Sequence, residues 1–184
     1  MIHPSCYVHE SAVVIGLVSL GEGSSIWPMA VLRGDLNRID VGRGVSVQDH
    51  TTLHVDSERG LVVGDYSLIG HRVVLHGCSV GRACLIGTGS VVLDGAEIGD
   101  GAQITAGCVV RGDRKIPPRA LVVQLGGELR VHPNKADPAR TVAASLEYVA
   151  LAERCRGGRF GPYSPEERAS FRERASAIVA ESCL

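Results

Sequence analysis

Aliphatic residues recur every six positions along the first two thirds of the chain. The series runs Val8, Val14, Leu20, Ile26, Leu32, then Val41, Val47, Leu53, then Val63, Ile69, Leu75, and finally Val80, Ile86, Val92, Ile98, Ile104, Val110. Four residues after each start stands a small or β-branched residue, as at Ala12, Ser24, Ala30, Thr51, Ser67, Ser79, Cys84, Ser90 and Cys108. A period of six predicts a short strand and a turn. Three such units close one triangular coil of about 18 residues, and coils stack at roughly 4.8 Å, the spacing between strands. The aliphatic side chain then fills the interior, and the small residue fits where the wall bends. Glycine often follows the aliphatic directly (Gly21, Gly42, Gly64, Gly70, Gly81, Gly87, Gly99), which reads as freedom for the backbone at the corner. Cys84 and Cys108 occupy small-residue slots and read as core filler.

Breaks in phase mark loops. Leu32 to Val41 is three residues too long, Leu53 to Val63 is four too long and holds DSERG, and Leu75 to Val80 is one too short. The repeat is expected to end after Val110, with the IPP of residues 116–118 breaking it. Two helix signals follow. Asp137-Pro138 is an N-cap with proline at the first helical position and opens a helix over 138–154. Ser164-Pro165-Glu166-Glu167 is a capping box that opens a second over 165–182. The expected fold is mainly β: a parallel β-helix of hexapeptide repeats over 1–123, with a C-terminal helical extension over 124–184 packing on the prism or a neighbour. Chains with this repeat resemble one another in being left-handed, so the period supplies the prism and the resemblance supplies its hand.

Composition narrows the function classes. Net charge is −1 and no basic run or zinc-finger spacing occurs, which excludes a nucleic-acid surface. The N-terminal MIHPSCYVHE lacks an apolar signal-peptide core, and no apolar run approaches a membrane span. Six cysteines without a CxxC pair read as reduced thiols of a cytoplasmic protein. Cys6 and Cys78 are the candidates for redox chemistry, with inert thiols the favoured reading.

The histidines carry the chemistry. Counting hexapeptides in threes places Arg33, His54 and His76 one residue after Leu32, Leu53 and Leu75, stacked on one face. His54 and His76 then lie one coil apart, near enough for both rings to reach one ion at about 2.0–2.1 Å. His71 falls on a different face, above Asp49. A third imidazole must come from another copy of the chain, so a homotrimer would build three metal sites at its boundaries. His3, His9, His50 and His132 have no such partners, and His50 reads as a corner residue.

The segments IWPMAVLRGD (26–35), VSVQDHTTLH (45–54), VGDYSLIGHRVVLHGC (63–78) and LIGTGSVVLDGAEIG (85–99) resemble the γ-class carbonic anhydrase-like family over the whole prism. The resemblance implies a homotrimer with Zn²⁺ (or Fe²⁺ or Co²⁺) held by His54, His71 and His76. It implies an Arg33–Asp35 ion pair at the subunit boundary, Gln48 hydrogen-bonded to the metal-bound water or bicarbonate, and Asp49 anchoring that network. The implied activity is reversible hydration of CO₂ by a metal-bound hydroxide, a carbonate dehydratase-like lyase reaction. Leu36 stands where the best-characterised members carry glutamate, and Asp56 and Glu58 are then the candidates for proton relay. Two other readings stay open: a hexapeptide-family acyl-CoA thioesterase or acyltransferase, and a non-catalytic metal-binding or scaffold trimer.

Overall fold

The computed structural model describes residues 1–182 and 184. The chain winds into a left-handed parallel β-prism of about six coils with three flat faces. The first face stacks Tyr7–Val8, Ser25–Ile26, Ser46–Val47, Leu68–Ile69, Leu85–Ile86, Gln103–Ile104 and Leu121–Leu125. The second joins the first halves of Val13–Leu20 and Val31–Val41 to Thr52–His54, Val74–His76, Val91–Val92 and Val109–Val110. The third continues from the far halves of the two long strands through Leu61–Val63, Ser79–Val80, Glu97–Ile98 and Lys115–Ile116.

The period does what it predicts. From Leu20 to Val110 no repeat aliphatic is more than 4% exposed, and these side chains form one continuous core. Val8 and Val14 are more open because they sit in the first coil, with little stacked beneath them. Buried hydroxyls in the small-residue slots are satisfied between coils: Ser24 Oγ donates to Gly42 O at 2.6 Å, Thr51 Oγ1 to Gly70 O and Ser67 Oγ to Gly81 O, both at 2.8 Å.

Three local expectations need correction. The repeat does not end at Val110: Ile116 and Val122 continue it, paired with Ile98 and Ile104 and equally buried. Pro117 and Pro118 lie past the strand, in a corner, where a missing N–H and a fixed φ are compatible with the turn. The glycines after the aliphatics have ordinary backbone angles and are required by crowding instead. A Cβ on Gly87 would stand 2.5 Å from the backbone nitrogen of Ala106 in the next coil. Positive φ falls two residues later, at Gly89 (φ +69°) and even at Tyr66, Arg72 and Ala83. Finally, the one-residue deletion after Leu75 makes Cys78, not Ser79, the buried corner residue. Burial pushes the Cys78 thiol up to about 12, which removes it as a redox candidate. Burial also raises the Cys6 thiol, whose Sγ donates to Gly21 O at 3.0 Å.

After the last coil, Leu121–Leu125 turns back through Gly126-Gly127, both at positive φ, into the antiparallel Glu128–His132. The expected boundary at residue 123 therefore falls within a strand. Two helices follow, α1 (Pro138–Arg156) and α2 (Pro165–Glu181). Asp137 caps α1 by accepting from Arg140 N, and Ser164 and Glu167 form the full capping box of α2. Helix α1 lies along the first face, buried through Val142, Ser145 and Leu146. Gln103 Nε2 donates to Asp137 O at one end, and the Arg156 guanidinium donates to Ser5 O at the other. The helix has 19 residues, about 28 Å at 1.5 Å each, which matches six coils at roughly 4.8 Å. Helix α2 covers α1, with Phe171 and Ala175 buried and Tyr163 edge-on to Phe171. Among the described residues, no helix is long and apolar enough to cross a membrane.

Candidate functional site

The second face carries a column of one residue per coil: Ile15, Arg33, His54, His76, each paired in register with the next. A parallel ladder sets the stacking, so two residues 22 positions apart in sequence come together, with His54 Nδ1 3.0 Å from His76 Nε2. Each ring is held from its far side. His54 Nε2 lies 3.2 Å from Asp35 Oδ1, and His76 Nδ1 lies 2.5 Å from Asp94 Oδ1. Arg33 pairs with the other oxygen of Asp35, and that bond, with help from His54, holds the Asp35 carboxyl below the usual range.

His71 stands at the corner between the first and second faces rather than on a separate face. Asp49-His50 and His71-Arg72 form successive turns of that corner, with His50 (φ +59°) and Arg72 (φ +58°) in the left-handed position. His71 Nδ1 is 2.9 Å from Asp49 Oδ2, and its side chain is 48% exposed. Within one chain, among the described residues, His71 joins no metal-ligating group. Beside this corner Gln48 is buried, with Tyr148 of α1 close by. Burial pushes the Tyr148 hydroxyl up, the Asp49 and Glu147 carboxylates add to the effect, and Gln48 opposes it. Tyr148 also packs edge-on to Trp27, whose indole N–H is bonded to Ser25 and Ser46.

The donor set suits a divalent cation. An ionised carboxylate only accepts, so the imidazole nitrogens facing Asp35, Asp94 and Asp49 carry the protons. His54 Nδ1 and His76 Nε2 are then lone pairs pointed at each other. Two ligand nitrogens on a tetrahedral ion stand roughly 3.3 Å apart, a few tenths from what is found. A carboxylate on the far nitrogen of a ligating imidazole is the usual outer support of such a site. His71 has the same support and leaves Nε2 open towards solvent or a second copy.

Asp56 Oδ1 accepts from Glu58 N at 2.8 Å and Arg59 N at 2.7 Å, and these bonds lower its pKa. It closes its own turn, and Glu58 is exposed. Asp56 also lies within 4.8 Å of a His76 and Asp94 ligand atom. Asp94 and Tyr148 are the site residues the sequence reading missed. Extending the count to Val92 puts Asp94 two residues past the start, in the turn that closes the histidine face; Tyr148 depends on how α1 docks and has no local signal.

A left-handed hexapeptide prism with paired imidazoles on one face defines the class of protein. Residues 77–112 match the bacterial transferase hexapeptide (six repeats) family. The structure is similar to that of a Bacillus cereus protein provisionally described as an acetyltransferase, with a TM-score of 0.80 and 35% identity over 86% of this chain and 92% of that one. It is also similar to a hexapeptide transferase family protein of Anaplasma phagocytophilum, with a TM-score of 0.76 and 28% identity over 83% and 90% of the two chains. The carnitine operon protein CaiE of Shigella dysenteriae is 44% identical over 82 residues, which is 45% of this chain and 42% of CaiE. The match thus spans less than half the length of that relative. The chain belongs to the hexapeptide-repeat family, in the γ-class carbonic anhydrase-like group whose motifs it carries.

These relatives overturn the expectation of a CO₂-hydrating lyase. The similar structures are transferase-type proteins, which supports an enzyme but not a carbonate dehydratase.

Proposed function

We propose that this protein acts on the acyl group of a coenzyme A thioester, by transfer to a small acceptor or to water. The observation that carries this reading is the 35% identity to the Bacillus cereus acetyltransferase-like protein over 92% of its length. The reaction breaks the acyl carbon–sulfur bond and forms a bond to an acceptor oxygen or nitrogen; the acceptor's proton leaves with the thiol.

The site would be completed by a homotrimer, as is usual in hexapeptide transferases. Ile15 at the foot of the histidine column and its neighbours Val13 and Leu17 on the same strand are exposed apolar residues, suited to burial against a second copy. His54 and His76 of one protomer with His71 of the next would hold Zn²⁺, Fe²⁺ or Co²⁺. Such an ion would supply Lewis-acid polarisation of the thioester carbonyl. The chain's own groups then orient the substrate: Gln48 and Tyr148 offer an amide and a hydroxyl at the same corner, and Asp49 fixes His71. The reading places the protein in the cytoplasm, where acyl-CoA donors and unpaired thiols both persist.

A second reading is favoured by one observation. His71 has Asp49 on Nδ1 and an open Nε2, the arrangement of a metal-free general base. Release of free thiol from a panel of acyl-CoA thioesters, with and without amine and alcohol acceptors, tests the proposal. Turnover that falls on chelation and in His54→Ala supports the cation reading. Turnover indifferent to chelation but lost in His71→Ala supports the base. No release above the uncatalysed rate for any thioester rejects both.

A further inference from the structure

Asp94 comes from the turn after Val91–Val92, one coil beyond His76, and its Oδ1 is 2.5 Å from His76 Nδ1. The missing side chain at Gly77, which is at positive φ, leaves room for it: a Cβ there would stand 2.6 Å from that same oxygen. The turn is fastened beneath it by Gly95 N donating to Gly77 O at 2.8 Å. Without an acceptor at Nδ1, the His76 proton is free to move to Nε2, where it would point at His54 Nδ1 and occupy the space a cation needs.

We propose that Asp94 is a positioning residue that locks the proton of His76 on Nδ1, so that His76 Nε2 and His54 Nδ1 form a preset two-nitrogen clamp for a divalent cation. This rests on the cation reading of the site. Gly77 is the second part of the device, since it admits the carboxylate to the ring. Asp94 acts from outside the clamp; ligation together with the nearby Asp56 is the competing arrangement, and the two respond differently to substitution.

Co²⁺ titration of the full-length protein, followed by the cobalt visible spectrum and by competition with a chelator, reads the clamp. Histidine ¹⁵N NMR of the metal-free protein reads the tautomer. Asp94→Ala is expected to weaken Co²⁺ binding by about 10–100-fold and to move the His76 proton to Nε2. Asp94→Asn keeps an acceptor oxygen for Nδ1–H and is expected to recover part of the affinity, which separates positioning from a failure to fold. Gly77→Ala should behave like Asp94→Ala, and Asp56→Ala like the wild type. Unchanged affinity and tautomer in Asp94→Ala would overturn the proposal while leaving the histidine site intact. Losses in Asp56→Ala as large as in Asp94→Ala, with none in His54→Ala, would overturn it by making Asp94 a ligand. A wild-type protein that takes up no Co²⁺ would sink the cation reading and this proposal together.

Discussion

His54 Nδ1 faces His76 Nε2 at 3.0 Å across one step of the parallel ladder, and a carboxylate occupies the far nitrogen of each ring. Two lone pairs so placed repel unless a shared proton or a cation lies between them. The expected consequence is that a divalent ion binds to the wild-type trimer and that removing either ring is equally damaging. His54→Ala and His76→Ala should each lower Zn²⁺ affinity by at least 100-fold in isothermal titration, because two good ligands do not hold what three did. Wild-type affinity in either variant would show that the pair holds no ion.

Ile15 lies directly below Arg33 in the same column and is 46% exposed. An exposed isoleucine in register with a polar site is explained if a second copy covers it. Light scattering should therefore give three times the 19.4 kDa of one chain. Ile15→Glu buries a charge at that boundary, at a cost of several kcal/mol in assembly. It should release monomers that keep their β-type circular dichroism and lose the metal. A trimer unaffected by Ile15→Glu would place the boundary elsewhere.

Much of this was legible from the period alone. Counting in threes put Arg33, His54 and His76 on one face because side-chain direction in a stacked coil depends only on position within the hexapeptide. The caps at Asp137 and Ser164 were legible because capping is a local bond between neighbouring residues. What escaped depends on contacts between coils. The prism runs through Ile116-Pro117-Pro118 because those prolines fall in a corner, which no local propensity reveals. Asp94 reaches His76 because the pairing of Val92 with Leu75 stacks its turn against Gly77 of the coil before. Tyr148 reaches Gln48 only because α1 spans the stack end to end.

Gly87 and Gly89 share one turn but are needed for different reasons. Gly87 has no room, with a backbone nitrogen 2.5 Å from where a Cβ would stand, whereas Gly89 has nothing within 4 Å but a φ of +69°. Gly87→Ala should cost about 3 kcal/mol because two coils must separate. Gly89→Asn should cost under about 1 kcal/mol because asparagine visits left-handed backbone. Urea denaturation measures both. Equal losses would mean that corner conformation, not coil contact, places the first glycine.

Cys78 and Cys84 carry the last prediction, because burial raises both thiols from 9.0 to about 12. Below about pH 9 neither the folded nor the unfolded chain releases these protons, so their contribution to stability is fully present. Between about 9 and 12 the unfolded chain ionises and the native core does not. Each pH unit in that window then favours unfolding by about 1.4 kcal/mol per thiol. Stability measured by urea should therefore fall from about pH 9 upward, beyond what tyrosine and lysine titration alone produces. In Cys84→Ala that thiol is gone, and the slope should shrink by about 1.4 kcal/mol per pH unit, whatever the substitution costs at neutral pH. A slope unchanged from the wild type would mean that Cys84 ionises in the folded protein and that water reaches the corner it fills.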